Sequence, residues 1–243
     1  MNSSLSRRLV EGPKESLPYP EVSRVLLRAI EHALVAAWNR ILSTGGPDLL
    51  EAFVGVHEDA ITDPLVTELE RMRVRGELGP MGGFFAAFIK SEELWDHAHR
   101  SQALPDIVVR LVPPPELLVY DPRYYGVFIE SKVIDSSHKK SAKLYCTEGV
   151  ISRFVSGLYA WKMRQAIMCA YVLDGSSLMT ALGSEFSTQS SLQTREPLTP
   201  RAWPVPSRAE IADSTHDRTW SYSHPNVGSP GSIALSHVWL RLM

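Results

Sequence analysis

Two short motifs place charged side chains inside apolar runs of the sequence. Asp106 opens the run DIVVRLV, and Glu130 and Lys132 lie within YGVFIESKVI (125–134). Side chains alternate between the two faces of a strand, so Glu130 and Lys132 would share a face with their Cα atoms roughly 7 Å apart. A buried carboxylate is costly unless it is paired or bound to a metal. The sequence therefore predicts that these charges have partners or perform chemistry.

Asp106 and Glu130 would converge at one end of a sheet if their strands pair antiparallel or follow a short connection. Two converging carboxylates repel each other unless a cation lies between them. Hard oxygen ligands without His or Cys favour Mg²⁺ or Mn²⁺. Lys132 could orient a water, lower the pKa of that water, or stabilise charge developing on a phosphate. These residues predict a divalent-metal site suited to phosphate chemistry.

The elements that would position these residues begin with two helical patterns. PEVSRVLLRAIEHALVAAWNRIL (20–42) has apolar residues at intervals of four and predicts a helix, and GGPDLL (45–50) interrupts that pattern. HEDAITDPLVTELERMRV (57–74) predicts a second helix, with Pro64 in its early turns or splitting it. The helices precede four runs rich in β-branched and aromatic residues, which predict strands: FFAAFI (84–89), DIVVRLV (106–112), YGVFIESKVI (125–134) and AIMCAYVL (166–173).

Between the third and fourth strands, CTEGVISRFVSGLYAWKMRQ (146–165) predicts a crossing helix with Thr147 as its N-cap. The order helix, three strands, helix, strand favours an α/β or α+β fold. Residues 183–232 are rich in Ser, Thr and Pro and predict long surface loops with little regular structure. IALSHVWLRLM (233–243) predicts an added edge strand.

Pro105 and Asp106, followed by Glu130-Ser131-Lys132 on the next strand, resemble the PD-(D/E)XK signature of the restriction-endonuclease-like superfamily. The core of that superfamily runs helix, three strands, helix, strand, and the resemblance covers about residues 50–175. The segment YCTEGVISRFVSGLYAWKMRQAIMCAYV (145–172) is also similar to nuclease-like proteins of bacterial restriction and phage-defence loci.

The resemblance implies a restriction-endonuclease-like α/β core over residues 47–182. An N-terminal arm and helix (1–46) would pack on that core, and a loop-rich C-terminal extension ending in a strand (183–243) would belong to the same domain. The implied activity is metal-dependent hydrolysis of phosphodiester bonds in restriction or anti-phage defence, and DNA is the expected substrate. The alternative is a catalytically silent binding or scaffold subunit of a defence complex.

The resemblance also assigns roles. Asp106 and Glu130 would bind Mg²⁺ or Mn²⁺, with the main-chain carbonyl of Ser131 as a third protein ligand. Lys132 would position the attacking water. Such families often add a carboxylate from the first core helix, and the candidates here are Glu58 first, then Asp59 and Glu51.

Charge is distributed unevenly along the chain. The net charge of −2 argues against binding nucleic acid by overall electrostatics. Residues 131–164, however, contain seven Lys or Arg against Asp135 and Glu148, a local excess suited to phosphate contacts. The candidate nucleic-acid contacts are Lys139, Lys140, Lys143 and Arg153. A solvated basic loop for Lys139 and Lys140, and a structural ion pair for Arg153, are the open alternatives.

No run approaches the roughly 18 to 20 apolar residues of a membrane span, and the first residues lack the apolar stretch of a secretory signal. Cys146 and Cys169 lie in apolar segments and predict neither a disulfide framework nor a zinc site. We expect a cytoplasmic protein whose partner is DNA, with a defence-system protein or a second copy of the chain as a further partner and no membrane.

Overall fold

Helices cover both faces of a seven-stranded mixed sheet in this computed structural model. The structure describes residues 17–53, 57–98, 100–117, 119, 121–203, 208–222 and 229–242. The predicted N-terminal arm therefore lies almost wholly outside the described residues. No helix among the described residues is both long and apolar enough to cross a membrane.

The helices are α1 (Arg24–Phe53), α2 (Glu58–Val74), α3 (Ala142–Leu144, continued as the π-helix Tyr145–Val155) and α4 (Leu178–Thr188). The strands are β1 (Phe85–Lys90), β2 (Leu94–Trp95), β3 (Gln102–Ala103), β4 (Ile107–Leu111), β5 (Gly126–Ile134), β6 (Gln165–Val172), β7 (Thr194–Arg201), β8 (Ala209–His216) and β9 (Ile233–Arg241). Short 3₁₀ turns occupy Gly79–Phe84, Pro122–Tyr124, Ser136–His138 and Ser190–Leu192.

The strand order in the main sheet is β1-β4-β5-β6-β9-β8-β7, and β2 and β3 form a separate hairpin. β1, β4 and β5 are an antiparallel meander. β6 and β9 continue parallel to β5, and β8 and β7 then return antiparallel. The β5-to-β6 crossover carries the π-helix, as a parallel connection requires a covering element.

The two helical layers are identified by their contacts with the central strands. On one face, Trp38 of α1 packs its ring on Tyr171 of β6, and Thr62 of α2 lies within hydrogen-bond distance of the Tyr171 hydroxyl. On the other face, Tyr145 of the π-helix and Phe186 of α4 contact His237 of β9. β6 is buried along its whole length, as expected for a central strand covered on both faces.

The predicted strands β1, β4, β5 and β6 are present, and so is α2, which Pro64 does not split. α1 extends through the Gly-Gly-Pro segment to Phe53 rather than ending before it. The rings of Trp38 and Phe53 nevertheless stack with centroids 5.9 Å apart, whereas a straight helix would separate the two residues by about 22 Å. The helical chain therefore does not run straight between Trp38 and Phe53.

Three predictions about the second half are wrong. Thr147 does not cap the crossing helix, because the helix begins at Ala142 and the Thr147 hydroxyl donates to the Lys143 carbonyl inside it. Residues 183–232 contain most of α4 and the whole of β7 and β8, not mainly loops. β9 is an interior strand between β6 and β8 rather than an edge strand.

Candidate active site

The geometry of the candidate site comes from a step between two strands. The last antiparallel pair joins Ile107 of β4 to Ile129 of β5, and β5 then continues alone on that side to Ile134. Asp106 is the residue before β4, so the same register places it opposite Glu130 and on the same face of the sheet. The sequence predicted that these two carboxylates would converge if their strands paired antiparallel, and the strands do pair antiparallel.

Asp106 is fixed by a main-chain contact across this step. The amide nitrogen of Ser131 donates to Asp106 Oδ2 over 2.6 Å. On that edge β5 no longer has a β4 residue opposite it, so the carboxylate takes the place of a strand partner. Burial and the nearby charge of Glu130 raise the pKa of Asp106 to about 7, although the Ser131 amide opposes that rise.

Glu130 is the most enclosed charged group at the site, with only 2 % of its side chain exposed. Its Oε1 accepts from Lys132 Nζ at 2.8 Å and from Arg153 Nε at 3.2 Å. Its Oε2 is buried and has no hydrogen-bond partner among the described residues. A buried carboxylate oxygen without a donor is costly, so Glu130 has one coordination position to offer.

Lys132 joins the strand to the start of α2. Its ammonium lies 3.0 Å from Glu58 Oε1 as well as 2.8 Å from Glu130 Oε1, so both predicted carboxylates contact it. Burial alone would lower the pKa of Lys132, but the neighbouring carboxylates, Glu130 first, outweigh burial and raise it. Burial of Glu58 likewise opposes its ionisation, yet the charge of Lys132 keeps the net pKa of Glu58 below its usual value. The pair is therefore ionised at neutral pH.

Arg153 reaches the site from the π-helix. Its guanidinium pairs with Glu130 and lies over the ring of Tyr159, 5.3 Å from the centroid. The Tyr159 hydroxyl donates to the carbonyl of Leu104, two residues before Asp106. The wide π turn also presents Gly149 to the sheet, where an added Cβ would lie 2.4 Å from Met168 Cε and 4.0 Å from Glu130 Cγ. The π-helix thus covers Glu130 closely, as π segments at functional sites often do.

The sequence did not single out Tyr159 or Gly149. A lone Tyr and a lone Gly in an apolar pattern carry no motif, and their placement depends on the π winding. In that winding the amide of Ser156 donates to the carbonyl of Ile151, five residues back, rather than four. Residue-by-residue reasoning with a period of 3.6 therefore cannot locate them.

The other predicted residues are exposed, have different partners, or have side chains outside the described residues. Asp59 pairs with Lys90 of β1 at 3.3 Å rather than with Lys132. Glu51 belongs to α1, but its side chain lies outside the described residues. Lys139 and Lys143 are exposed, and Lys140 forms a bridge with Asp135 through its main chain. The structure joins Arg153 to the carboxylate cluster through its ion pair with Glu130, and it gives Lys139 and Lys143 no such bond among the described residues.

A metal at this place would depend on few side chains. Among the described residues, no group of three or more His, Cys, Asp or Glu side chains is arranged to hold a metal ion. Glu58, the expected third carboxylate, is occupied by Lys132. The donor set that fits Mg²⁺ or Mn²⁺ is therefore the free Oε2 of Glu130, the carboxylate of Asp106, main-chain oxygen and water, which suits a cation that retains several waters.

Comparison of the chain with protein-family models, with curated proteins and with solved structures finds no match.

Proposed function

We propose that this protein is a metal-dependent nuclease of the restriction-endonuclease-like, PD-(D/E)XK superfamily that hydrolyses phosphodiester bonds of DNA in restriction or anti-phage defence. The observation that carries the proposal is the buried, partnerless Oε2 of Glu130, placed on the same face as Asp106. A fully paired structural cluster would leave no such atom. A divalent cation shared by the two carboxylates would satisfy it.

The arrangement of elements supports the same proposal. An antiparallel meander of three strands leads through a crossing helix to a parallel fourth strand, which is the order of the superfamily core. Asp106 precedes the second strand of the meander, and Glu130, Ser131 and Lys132 lie on the third. The core proposed here includes the strands that follow residue 182, because β9 pairs directly with β6.

In the proposed reaction Asp106 and Glu130 would hold Mg²⁺ or Mn²⁺, together with the carbonyl of Ser131. The bound cation would activate water and neutralise charge that develops on the phosphate. Lys132 would contact the water. Its raised pKa keeps it an ammonium, so it would orient the water and donate to it instead of acting as a base. Arg153 anchors Glu130 and adds positive charge where a phosphate would approach.

The alternative is a binding or scaffold subunit that does not turn over. The observation that favours it is the double ion pairing of Glu130 Oε1 by Lys132 and Arg153, which already neutralises the carboxylate without a metal. In that case Lys132 and Arg153 would serve only to stabilise buried charge.

The test is nicking of supercoiled plasmid, single-stranded DNA and RNA with Mg²⁺ or Mn²⁺ and with EDTA. We expect wild-type protein to cleave DNA only with metal, Glu130→Gln and Asp106→Asn to be inactive, and Lys132→Met to lose about 10²-fold to 10⁴-fold in rate. Glu116→Gln, which changes an exposed carboxylate, is the matched control and should cleave like wild type.

Equal cleavage by wild type and Glu130→Gln would show that the site is wrongly assigned. Absence of cleavage by wild type on all three substrates, with both metals, would favour the scaffold. Thermal melting with and without Mn²⁺ separates these cases further, because a metal that binds at Glu130 stabilises wild type but not Glu130→Gln.

A further inference from the structure

A second feature lies on the opposite face of the sheet from Glu130. A cavity of about 630 Å³ opens between the first turns of α1 and strands β7, β8 and β9. Ser236, in its wall, pairs in register with Ile167, whereas Glu130 pairs with Met168. Adjacent residues of a strand point to opposite faces, so the cavity and the candidate active site are separate.

Three arginines at this cavity have guanidinium groups without a hydrogen-bond or ion-pair partner among the described residues. Arg24 and Arg28 lie one turn apart on α1, and Arg164 directly precedes β6. None of the three makes a hydrogen bond or ion pair with side chains in the part of the chain that the structure describes, and all three are exposed at the rim. Unpaired guanidinium groups that converge on a cavity are suited to phosphate or carboxylate, which they bind in bidentate geometry.

A buried carboxylate forms the inner wall. Glu31 is 1 % exposed, and its Oε1 accepts from the guanidinium of Arg201 and from the Ser236 hydroxyl, each at 2.6 Å. Its Oε2 is buried and has no hydrogen-bond partner among the described residues. The inner wall therefore offers an unfilled acceptor, while the rim offers cationic donors.

This combination restricts the class of ligand. Glu21, Glu196 and Asp213 also line the cavity, so the lining holds five arginines and four carboxylates and is not a surface for a plain polyanion. A ligand must carry an anionic group at one end and a hydrogen-bond donor at the other. The volume falls within the range of about 300 to 1,000 Å³ that is usual for small-molecule sites.

We propose that this cavity binds a nucleotide, with its phosphates on Arg24, Arg28 and Arg164 and with a ribose hydroxyl or exocyclic amine donating to Glu31 Oε2. The proposal is independent of the nuclease assignment, since it uses no residue of that site.

The test is isothermal titration calorimetry in EDTA with the four ribonucleoside triphosphates and with inorganic phosphate. We expect at least one triphosphate to bind at least tenfold more tightly than phosphate. The Arg28→Ala, Arg164→Ala double variant should lose about 100-fold, since each lost charge-assisted contact weakens binding about tenfold. Arg75→Ala, an exposed arginine at the far end of α2, is the matched control and should bind like wild type.

Glu31→Gln provides a second readout, because it can keep the acceptor for Arg201 and Ser236 but replaces the free oxygen with a donor. Triphosphate binding should fall at least tenfold in this variant while phosphate binding stays unchanged. Asp106→Asn should leave triphosphate binding unchanged. The proposal is overturned if no triphosphate binds more tightly than phosphate, if the double arginine variant binds like wild type, or if Asp106→Asn abolishes binding.

Discussion

The amide nitrogen of Ser131 lies 2.6 Å from Asp106 Oδ2, so a residue at the start of one strand closes the free edge of the next. This bond fixes the orientation of Asp106 without help from a metal. The substitution Asp106→Asn can therefore separate the effect of this hydrogen bond from the effect of the charge, because Asn accepts the same bond without the charge.

The first prediction uses that separation. The pKa of Asp106 is raised in the folded protein to about 7, so the stability contributed by its protonated form is present below the unfolded value near 4 and is lost as pH rises through 7. Without metal, Asp106→Asn should therefore be more stable than wild type at pH 8, by up to a few kcal/mol, and about equal at pH 4. Urea unfolding in EDTA at both pH values measures this difference. An advantage of the same size at pH 4 and pH 8 would contradict it.

The second prediction concerns the exposed lysines that follow β5. If Lys139 and Lys143 contact DNA phosphates, replacing either with Ala should reduce the slope of log K against log salt by about 0.9. Fluorescence anisotropy of a labelled duplex in EDTA, over a range of salt concentrations, measures the slope. Arg75→Ala removes one exposed charge about 25 Å from the start of α2 and should leave the slope unchanged. Unchanged slopes for both lysine variants would assign these residues to a solvated loop.

The third prediction concerns the close pairing of β4 and β5. A Cβ at Gly126 would lie 2.4 Å from the carbonyl oxygen of Val109, a main-chain atom that cannot move without disturbing the strand that orients Asp106. We expect Gly126→Ala to lower the free energy of unfolding by about 1 to 3 kcal/mol or more. Gly83→Ala is the control, since nothing lies within 4 Å of its added Cβ. Denaturant titration of both variants checks this, and equal stability would contradict the close approach.

The fourth prediction follows from a buried polar chain behind the π-helix. Ser214 Oγ lies 2.7 Å from Nε2 of both His216 and His237, and His237 Nδ1 lies 2.8 Å from the Tyr145 hydroxyl. Burial lowers the pKa of His216 to about 4 and that of His237 to about 3. Their neutral forms therefore stabilise the fold fully above the unfolded pKa near 6.5.

That stability is lost as pH falls below 6.5, by up to about 1.4 kcal/mol per pH unit for each histidine. Urea unfolding between pH 7 and pH 5 should show the loss, and a His237→Gln variant should show a shallower dependence. A wild-type slope in His237→Gln would contradict the lowered pKa.

The sequence was sufficient for the strands that carry the candidate site, whereas the ion pair of Glu58 with Lys132 was not predicted. Alternation within β5 and the polar start of β4 are local patterns, and antiparallel pairing of neighbouring strands brings their ends together. The double pairing of Glu130 was not predictable, since it depends on the π winding that turns Arg153 toward the sheet.

β7 and β8 were missed, and β9 was misplaced at an edge, for a different reason. β7 reads TREPLTPR and is largely exposed at a sheet edge, where proline is tolerated, so its composition resembles that of a loop. β9 was recognised as a strand, but its position could not be read from local pattern. β9 is buried at all but two of its nine residues, as an interior strand is. Its interior position becomes visible only in the structure, where it pairs with β6.

The interior position of β9 limits how this protein can be trimmed. β6 pairs with β5 from Ile167 to Val172 on one side, and with β9 along its whole length on the other. A recombinant fragment that ends near residue 182 would keep every candidate catalytic side chain but would leave the apolar β6 with an open row of amides and carbonyls. Such an edge recruits strands from other molecules, so the isolated fragment would self-associate rather than yield a minimal enzyme.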